Sequence, residues 1–364
     1  MTNNNLPSAK STSLPAPQTY LPGLDLVAAF VENTPEGKSN TAELFDALIT
    51  FSMDHAREGQ RFIEAQKVFR GRHFGVQISP ATIKRNGKPV LILPGIRENL
   101  IEKALRKIAA EDMAALKVTE QGGHAEVWVK FTMYQLRRIL SSQGHSFNVA
   151  QLEEGLEVLQ GAQVKITGEV AECEEGAISH ILQTVVWRKK TSGDEEGRSH
   201  KNMAKFHPFI TQSILQKTFR QIDFTKLMRP KNELARWLYI RLSHNYTQAS
   251  EDDFMKWQMG DPTAGYHLSL QTIIRENGLR FRDTSTALKS VRTALKALRK
   301  QDVLRGTDWR GAEFIGWTEK IQFGFSKGGR RPINDVVFHL FPSVAVVDDI
   351  IKANTTARAL RRGK

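Results

Sequence analysis

The same order of helical and extended segments occurs twice along the chain, and this repetition constrains the fold more than any single motif. Each copy is defined by apolar residues that recur every three to four positions in helices and every second position in strands. The first copy contains a helix over 97–110, a strand over 127–131, helices over 133–140 and 149–159, and strands over 164–172 and 178–188. The second copy contains helices over 231–244, 269–275 and 284–300, and strands over 314–325 and 336–341.

Helices followed by a β-hairpin, in this order, are typical of a winged helix-turn-helix. A chain of 364 residues is long enough for two or three domains. We therefore predict an α+β, mostly helical fold with two tandem winged helix-turn-helix domains and a disordered N-terminal tail. The predicted domains are the tail over 1–38, an extension of uncertain fold over 39–95, winged-helix domain 1 over 96–195, winged-helix domain 2 over 196–348, and a basic C-terminal tail over 349–364.

The N-terminal extension is predicted to be helical from about Ser39, with a short strand at its end. The helical prediction rests on apolar residues before and after a break, namely Leu44, Phe45, Leu48, Ile49, Phe62, Ile63, Val68 and Phe69. The strand is predicted over 88–95, where proline and glycine bound an apolar run.

Positive charge is concentrated in the C-terminal half of the chain. Residues 1–200 contain 23 Lys+Arg and 24 Asp+Glu, whereas residues 201–364 contain 29 and 15. Solubility requires some net charge but does not require that charge to be segregated. A basic half beside a neutral half therefore indicates a surface for a polyanion, most often DNA or RNA. An ordinary soluble basic protein remains the alternative at this point.

The segment 284–300 is the best candidate for a DNA-reading helix. Six apolar residues fall on one face of the predicted helix: Ala287, Leu288, Val291, Ala294, Leu295 and Leu298. Cations and short hydroxyls occupy the other face, without an acidic residue, and suit phosphates and base edges. The predicted DNA-binding residues are Lys289, Arg292, Thr293, Lys296, Arg299 and Lys300 on the helix, and Lys327, Arg330 and Arg331 at the hairpin tip. A solvated helix face is the alternative interpretation.

The first copy of the pattern differs from the second in the charge of its third helix. Glu153, Glu154 and Glu157 lie on that helix, and Glu174 and Glu175 lie at the following hairpin tip. Carboxylates repel phosphates, so we predict that this domain serves dimerisation or protein contacts. A purely structural domain is an equal alternative.

No enzymatic motif is present in the sequence. The ten histidines include no His-x-His pair, the sequence lacks a phosphate-binding G-x-x-x-x-G-K-[ST] loop, and Cys173 is the single cysteine. We therefore predict no catalytic residues, no metal and no cofactor. The N-terminus lacks the apolar core of a secretory signal, and no apolar run approaches the length of a membrane span, so we expect a cytoplasmic protein.

Several segments resemble bacterial plasmid replication initiators. Residues 205–210 (KFHPFI) and 219–223 (FRQID) are similar to the strand and turn that open the second domain of that family. Residues 234–244 are similar to the following helix, and 331–333 with 340–343 to the closing wing strand. The resemblance extends over about 95–345 and is strongest after residue 200.

This resemblance implies two tandem winged helices that bind repeated origin sequences, called iterons, in double-stranded DNA. It also implies contacts with the host replicative helicase and the host initiator, and a monomer–dimer equilibrium. The same resemblance implies a bacterial protein that is associated with the nucleoid or the plasmid. A winged-helix transcriptional repressor that binds an operator as a dimer is the alternative function. An RNA-binding protein is less favoured, because the sequence shows no exposed aromatic platform.

Overall fold

Strands are far more abundant in the computed structural model than the sequence predicts. The structure describes residues 37–49, 51, 62–69, 71–112, 115–121, 124–168, 177–187, 202–216, 218–261, 263–277, 281–308, 310–324 and 333–362. Of these described residues, 43% are helical and 34% are in strands, which form five antiparallel sheets, so the prediction of a mostly helical fold is wrong. The α+β class is consistent with these values.

The helices and strands of the described residues are numbered in chain order. The helices are α1 (Glu43–Leu48), α2 (Ile96–Glu111), α3 (Met133–Ser142), α4 (Val149–Gly161), α5 (Pro208–Leu215), α6 (Phe224–Met228), α7 (Glu233–Asn245), α8 (Asp253–Gln258), α9 (Leu270–Asn277), α10 (Thr284–Lys300) and α11 (Val344–Arg362). The strands are β1 (Lys38–Ala42), β2 (Ile63–Phe69), β3 (Arg72–Ser79), β4 (Ala81–Arg85), β5 (Lys88–Ile92), β6 (Leu116–Gln121), β7 (His124–Phe131), β8 (Gln163–Thr167), β9 (Ala177–His180), β10 (Leu182–Val186), β11 (Asn202–Phe206), β12 (Phe219–Asp223), β13 (Tyr266–Ser269), β14 (Trp317–Phe323) and β15 (Ile333–Leu340).

Many of the strand residues that the sequence did not predict lie in the N-terminal extension. The segment 63–69, predicted to be helical, is strand β2 and pairs with β3 along its whole length. Ala65 and Lys67 point inward on alternate positions, and a lysine at an inward position hides the two-residue period that marks a strand. Strand β3 shows that period openly, because Phe74, Val76 and Ile78 are all buried.

The apolar residues form two cores. The first core extends from Ala42 to Met228 and contains helices α2 to α5 with the sheets β2-β3-β8-β9 and β10-β11-β7-β6. The second core extends from Ile222 to Ile350. It contains helices α7, α9 and α10 against the sheet β13-β15-β14, in which β15 is the middle strand.

Strand β11 belongs to the first core, although the sequence places it in the second domain. It pairs with β7 on one side and with β10 on the other. Phe206 and Ile210, which follow in the chain, are buried in the same core. The predicted boundary at 195/196 lies outside the described residues. The two cores share strand β12 and helix α6, since Phe219 and Met228 belong to the first core and Ile222 and Leu227 to the second.

The two ends of the chain are the predicted tails. The predicted disordered tail lies outside the described residues except for Gly37 and Lys38. The predicted basic tail over 349–364 is part of helix α11 as far as Arg362, and Ile350 on this helix is buried in the second core. None of the helices in the described part of the chain has both the length and the apolar character needed to cross a membrane.

A buried ionic network lies on helix α2 of the first core, which contacts helix α7 of the second core. Arg106 donates to both carboxylate oxygens of Asp46, at 2.8 and 2.7 Å, and also pairs with Glu102. Burial raises the pKa of Asp46, but the charges of Arg106 and Lys103 more than offset burial and hold this pKa below its usual range. His244 of helix α7 lies near these groups, and burial lowers its pKa to about 4. Asn99 of α2 donates to the Glu233 carboxylate of α7, and helix α10 packs on α7.

Candidate nucleic-acid interface

Helix α10 forms as the sequence predicts, with the same first and last residues. The Asp283 carboxylate accepts a hydrogen bond from the Thr286 amide at 2.7 Å and caps the first turn. The buried residues of the helix are the six predicted ones, Ala287, Leu288, Val291, Ala294, Leu295 and Leu298. These side chains pack into the second core, which leaves the basic face directed away from it.

The predicted DNA-binding residues of helix α10 fall into two groups. Lys289, Lys296 and Lys300 are exposed, and none of them has a carboxylate partner among the described residues. Arg292 and Arg299 are half-buried and paired with acids. Thr293 is exposed, but its hydroxyl donates to the backbone carbonyl of Lys289 at 2.9 Å, so its proton is engaged. The unpaired positive charge of the helix is therefore carried by lysines.

Arg292 is held by an acidic residue of the neighbouring strand β14. Its Nε donates to Oε1 and Oε2 of Glu319 at 2.9 and 3.2 Å, and its Nη2 also donates to Oε2. The indole Nε1 of Trp317 donates to Oε1 of the same carboxylate at 3.1 Å. The hydrogen bonds to Glu319 raise the pKa of Arg292, and those from Arg292 lower the pKa of Glu319.

Arg299 has a looser arrangement near the end of the helix. Its Nη2 donates to the Glu313 carboxylate at 2.9 Å and to the Gly306 carbonyl at 3.3 Å. The Glu313 side chain is 79% exposed, so water screens this pair. We expect the Arg299–Glu313 ion pair to break readily when an anion such as a phosphate approaches Arg299.

A cleft of about 740 Å³ lies between the basic face of α10 and strand β14. The cleft is lined by Arg292, Lys296, Arg299, Lys300, Asp302, Leu304, Gly306, Ile315, Trp317 and Glu319. The lining thus combines the cations of helix α10 with apolar side chains from the segments that follow it. An elongated anion, such as a stretch of nucleic-acid backbone, is complementary to these cations.

The remaining predicted site residues have different outcomes. Lys327, Arg330 and Arg331 of the hairpin tip lie outside the described residues, as do Glu174 and Glu175. In the first core, Glu153 and Glu157 are exposed on helix α4. Between them in the chain, Glu154 accepts hydrogen bonds from Arg85 and Arg97 at 2.8 and 2.7 Å, and these bonds hold its pKa at about 2. Of the three carboxylates on helix α4, Glu154 is therefore neutralised by arginines, whereas Glu153 and Glu157 remain exposed.

Sequence reasoning missed Glu319, Trp317 and Glu313. The positions of Trp317 and Glu319 could have been predicted from the sequence. Side chains alternate along strand β14, which puts Glu319 on the same face as the buried Trp317. An acidic residue on the inward face of the strand after a basic helix is a candidate partner for that helix. Glu313 lies in an irregular loop, where no periodicity predicts its direction.

Comparisons with known proteins give no family for the chain. No model of a protein family matches it, and no curated protein matches it at a significant level. Two solved structures of domains 2 and 3 of RctB are similar over most of its length. One, of selenomethionine derivatives, has a TM-score of 0.43 at 8% identity and covers 82% of this chain and 96% of the other. The second has a TM-score of 0.43 at 9% identity and covers 86% and 100%. Scores at this level do not establish a shared fold.

Proposed function

We propose that the chain is a sequence-specific DNA-binding protein that acts by binding, without chemistry of its own. The observation that carries this proposal is a set of exposed lysines on helix α10 that have no acidic partner among the described residues, namely Lys289, Lys296 and Lys300. These lysines lie on a helix whose opposite face is anchored in the second core, so their positions are fixed by packing. Fixed cations along one helix suit a duplex, whose phosphates are regularly spaced.

In the proposed complex, helix α10 enters the major groove in the manner of a winged helix. The hairpin β14–β15 then follows as the wing, and its tip, with Lys327, Arg330 and Arg331, reaches the backbone or the minor groove. The lysines contact phosphates and set affinity, whereas Arg292 contacts a base edge and sets sequence preference.

We further propose that the biological role is initiation of plasmid replication. The support is the resemblance of residues 205–210, 219–223 and 234–244 to bacterial plasmid replication initiators. In this role the second core binds iterons, and the first core carries self-association and contacts with host replication proteins. Several bound copies distort the duplex so that an adjacent A·T-rich segment opens for the host helicase.

Substitution of the three lysines in the full chain tests the DNA-binding proposal. Lys289→Ala, Lys296→Ala and Lys300→Ala together should lower affinity for DNA by about 100-fold at moderate salt and reduce the salt slope by about three units. A matched control replaces three exposed lysines of the first core, Lys84, Lys88 and Lys165, and should change binding by less than about threefold. Equal losses in the two variants would contradict the assignment of the surface.

Footprinting on the DNA that flanks the gene separates the initiator from the alternative repressor. Protection of several direct repeats beside an A·T-rich segment supports the initiator. Protection of one inverted repeat over a promoter, without duplex opening, supports a repressor that binds as a dimer. Sedimentation of the full chain at micromolar concentration tests whether a dimer forms.

A further inference from the structure

Arg292 and Glu319 are unequally exposed, and this asymmetry indicates which of them faces a ligand. The Arg292 side chain is 43% exposed, whereas the Glu319 side chain is 17% exposed. The carboxylate therefore lies behind the guanidinium, between helix α10 and the sheet. A carboxylate that prevents an arginine from binding a ligand would lie on the solvent-exposed side of the guanidinium, and Glu319 does not lie there.

The hydrogen bonds to Glu319 leave the outer donors of Arg292 available. A guanidinium has five N–H groups, and Glu319 engages the one on Nε and one on Nη2. No described residue accepts from Nη1. The remaining N–H groups of Nη1 and Nη2 form a planar fork, the geometry that pairs bidentately with O6 and N7 of guanine.

Glu319 is itself fixed in place. Its Oε1 accepts from the indole of Trp317 as well as from Arg292, and its Oε2 accepts from Arg292. Trp317 is only 4% exposed and belongs to the second core. The orientation of the guanidinium plane is thus determined by the core, through one tryptophan and one carboxylate. The Arg299–Glu313 pair lacks this support, because Glu313 is largely exposed.

We propose that Glu319 is a positioning residue for sequence recognition, which holds the Arg292 guanidinium in the plane required for a bidentate contact with guanine. This inference rests on the proposed DNA binding by helix α10. A guanidinium that is already oriented loses less side-chain entropy on contact with a base. The adjacent carboxylate also offsets its charge, so that Arg292 adds little to the attraction of arbitrary DNA. Glu319 thereby contributes to preference between sequences more than to affinity.

Selection from a pool of randomised duplexes tests the inference, because every short sequence is represented in the pool. The full-length protein, Glu319→Gln, Glu313→Gln, Arg292→Ala and the double variant Arg292→Ala/Glu319→Gln are each mixed with the pool, and bound DNA is sequenced. In Glu319→Gln, we expect the preference for guanine at one position to fall about tenfold, with affinity for the unselected pool changed by less than about threefold. The exposed-pair control Glu313→Gln should keep the preference.

The double variant separates positioning from a general loss of structure. If Glu319 acts through Arg292, adding Glu319→Gln to Arg292→Ala produces no further loss of preference. Further loss in the double variant, or full preference in Glu319→Gln, overturns the inference. A uniform gain of affinity for all sequences in Glu319→Gln also overturns it, since Glu319 would then merely mask Arg292. If the unsubstituted protein enriches no sequence, the proposed function itself fails.

Discussion

Helix α4 in the first core and helix α10 in the second core begin with the same kind of cap but expose opposite charges. The Asn148 side chain accepts from the Gln151 amide at 2.8 Å, and Asp283 accepts from the Thr286 amide at 2.7 Å. Both helices bury an apolar face. Helix α4 directs Glu153 and Glu157 outward, whereas helix α10 directs lysines outward. The caps and apolar faces thus make the helices, and the outward residues set their electrostatic character.

The two helices also differ in how closely their neighbours approach. Gly155 of α4 lies so close to α2 that an added Cβ would be 2.4 Å from the Ile101 side chain. Arg85 and Arg97 bind Glu154 beside this contact. Helix α10 instead borders a cleft of about 740 Å³. The comparison teaches that helices with similar local sequence patterns have different roles when one is enclosed by neighbours and the other borders open space.

The largest expected effect concerns the buried ionic network on helix α2. Arg106→Leu leaves Glu102 buried without its arginine and leaves Lys103 as the remaining cation beside Asp46, which should lower the free energy of unfolding by about 3–5 kcal/mol. We expect urea unfolding to remain a single transition, because helix α2, which carries the network, contacts both cores. The exposed Arg138→Leu is the control and should change stability by less than about 0.5 kcal/mol. Two separate transitions in Arg106→Leu would show that the cores fold independently.

The stability of the fold should also depend on pH, because His244 is buried near the same network. His244 has a pKa of about 4 in the folded protein and an ordinary value of 6.5. Between these values the unfolded chain binds more protons, so stability is full above about pH 6.5 and falls as the pH decreases toward 4. By itself this difference in pKa lowers the free energy of unfolding by about 3 kcal/mol once the pH is below 4. Burial lowers the pKa of His207 as well, so His207 contributes in the same direction. Urea midpoints measured from pH 7 to pH 4 should fall less steeply in His244→Gln than in the unsubstituted protein. If the urea midpoints of the two proteins fell equally with pH, the pH dependence could not be assigned to His244.

The smallest expected effect tests whether the first core also faces DNA. Glu153→Lys with Glu157→Lys replaces two exposed carboxylates on helix α4, neither of which pairs with a cation in the part of the chain that the structure describes, by lysines. If this helix points away from the duplex, affinity for DNA should change by less than about threefold, and the salt slope should stay within about half a unit. Competition binding at two salt concentrations measures both quantities. A salt slope increased by about two units would place α4 against the DNA and remove the distinction between the helices.

The sequence by itself determined the elements whose signals are local. The limits of helix α10 and its six buried residues follow from the Asp283 cap and from apolar residues at helical spacing, both contained within a single segment. The cap of helix α3 by Thr132 is equally local. The basic face of α10 is a property of the same segment, so the candidate DNA-binding surface was also predictable.

Only the tertiary structure decided which segments meet. Strand β11 joins the sheet of the first core through hydrogen bonds to β7, about seventy residues earlier in the chain, and no local period reports such a pairing. The same holds for the strands of the N-terminal extension, where the buried Lys67 interrupts the apolar alternation. It also holds for Arg292, whose partner Glu319 lies on another element. Local spacing fixes which face of a segment is apolar, but the partner of a charged side chain depends on which segments pack together.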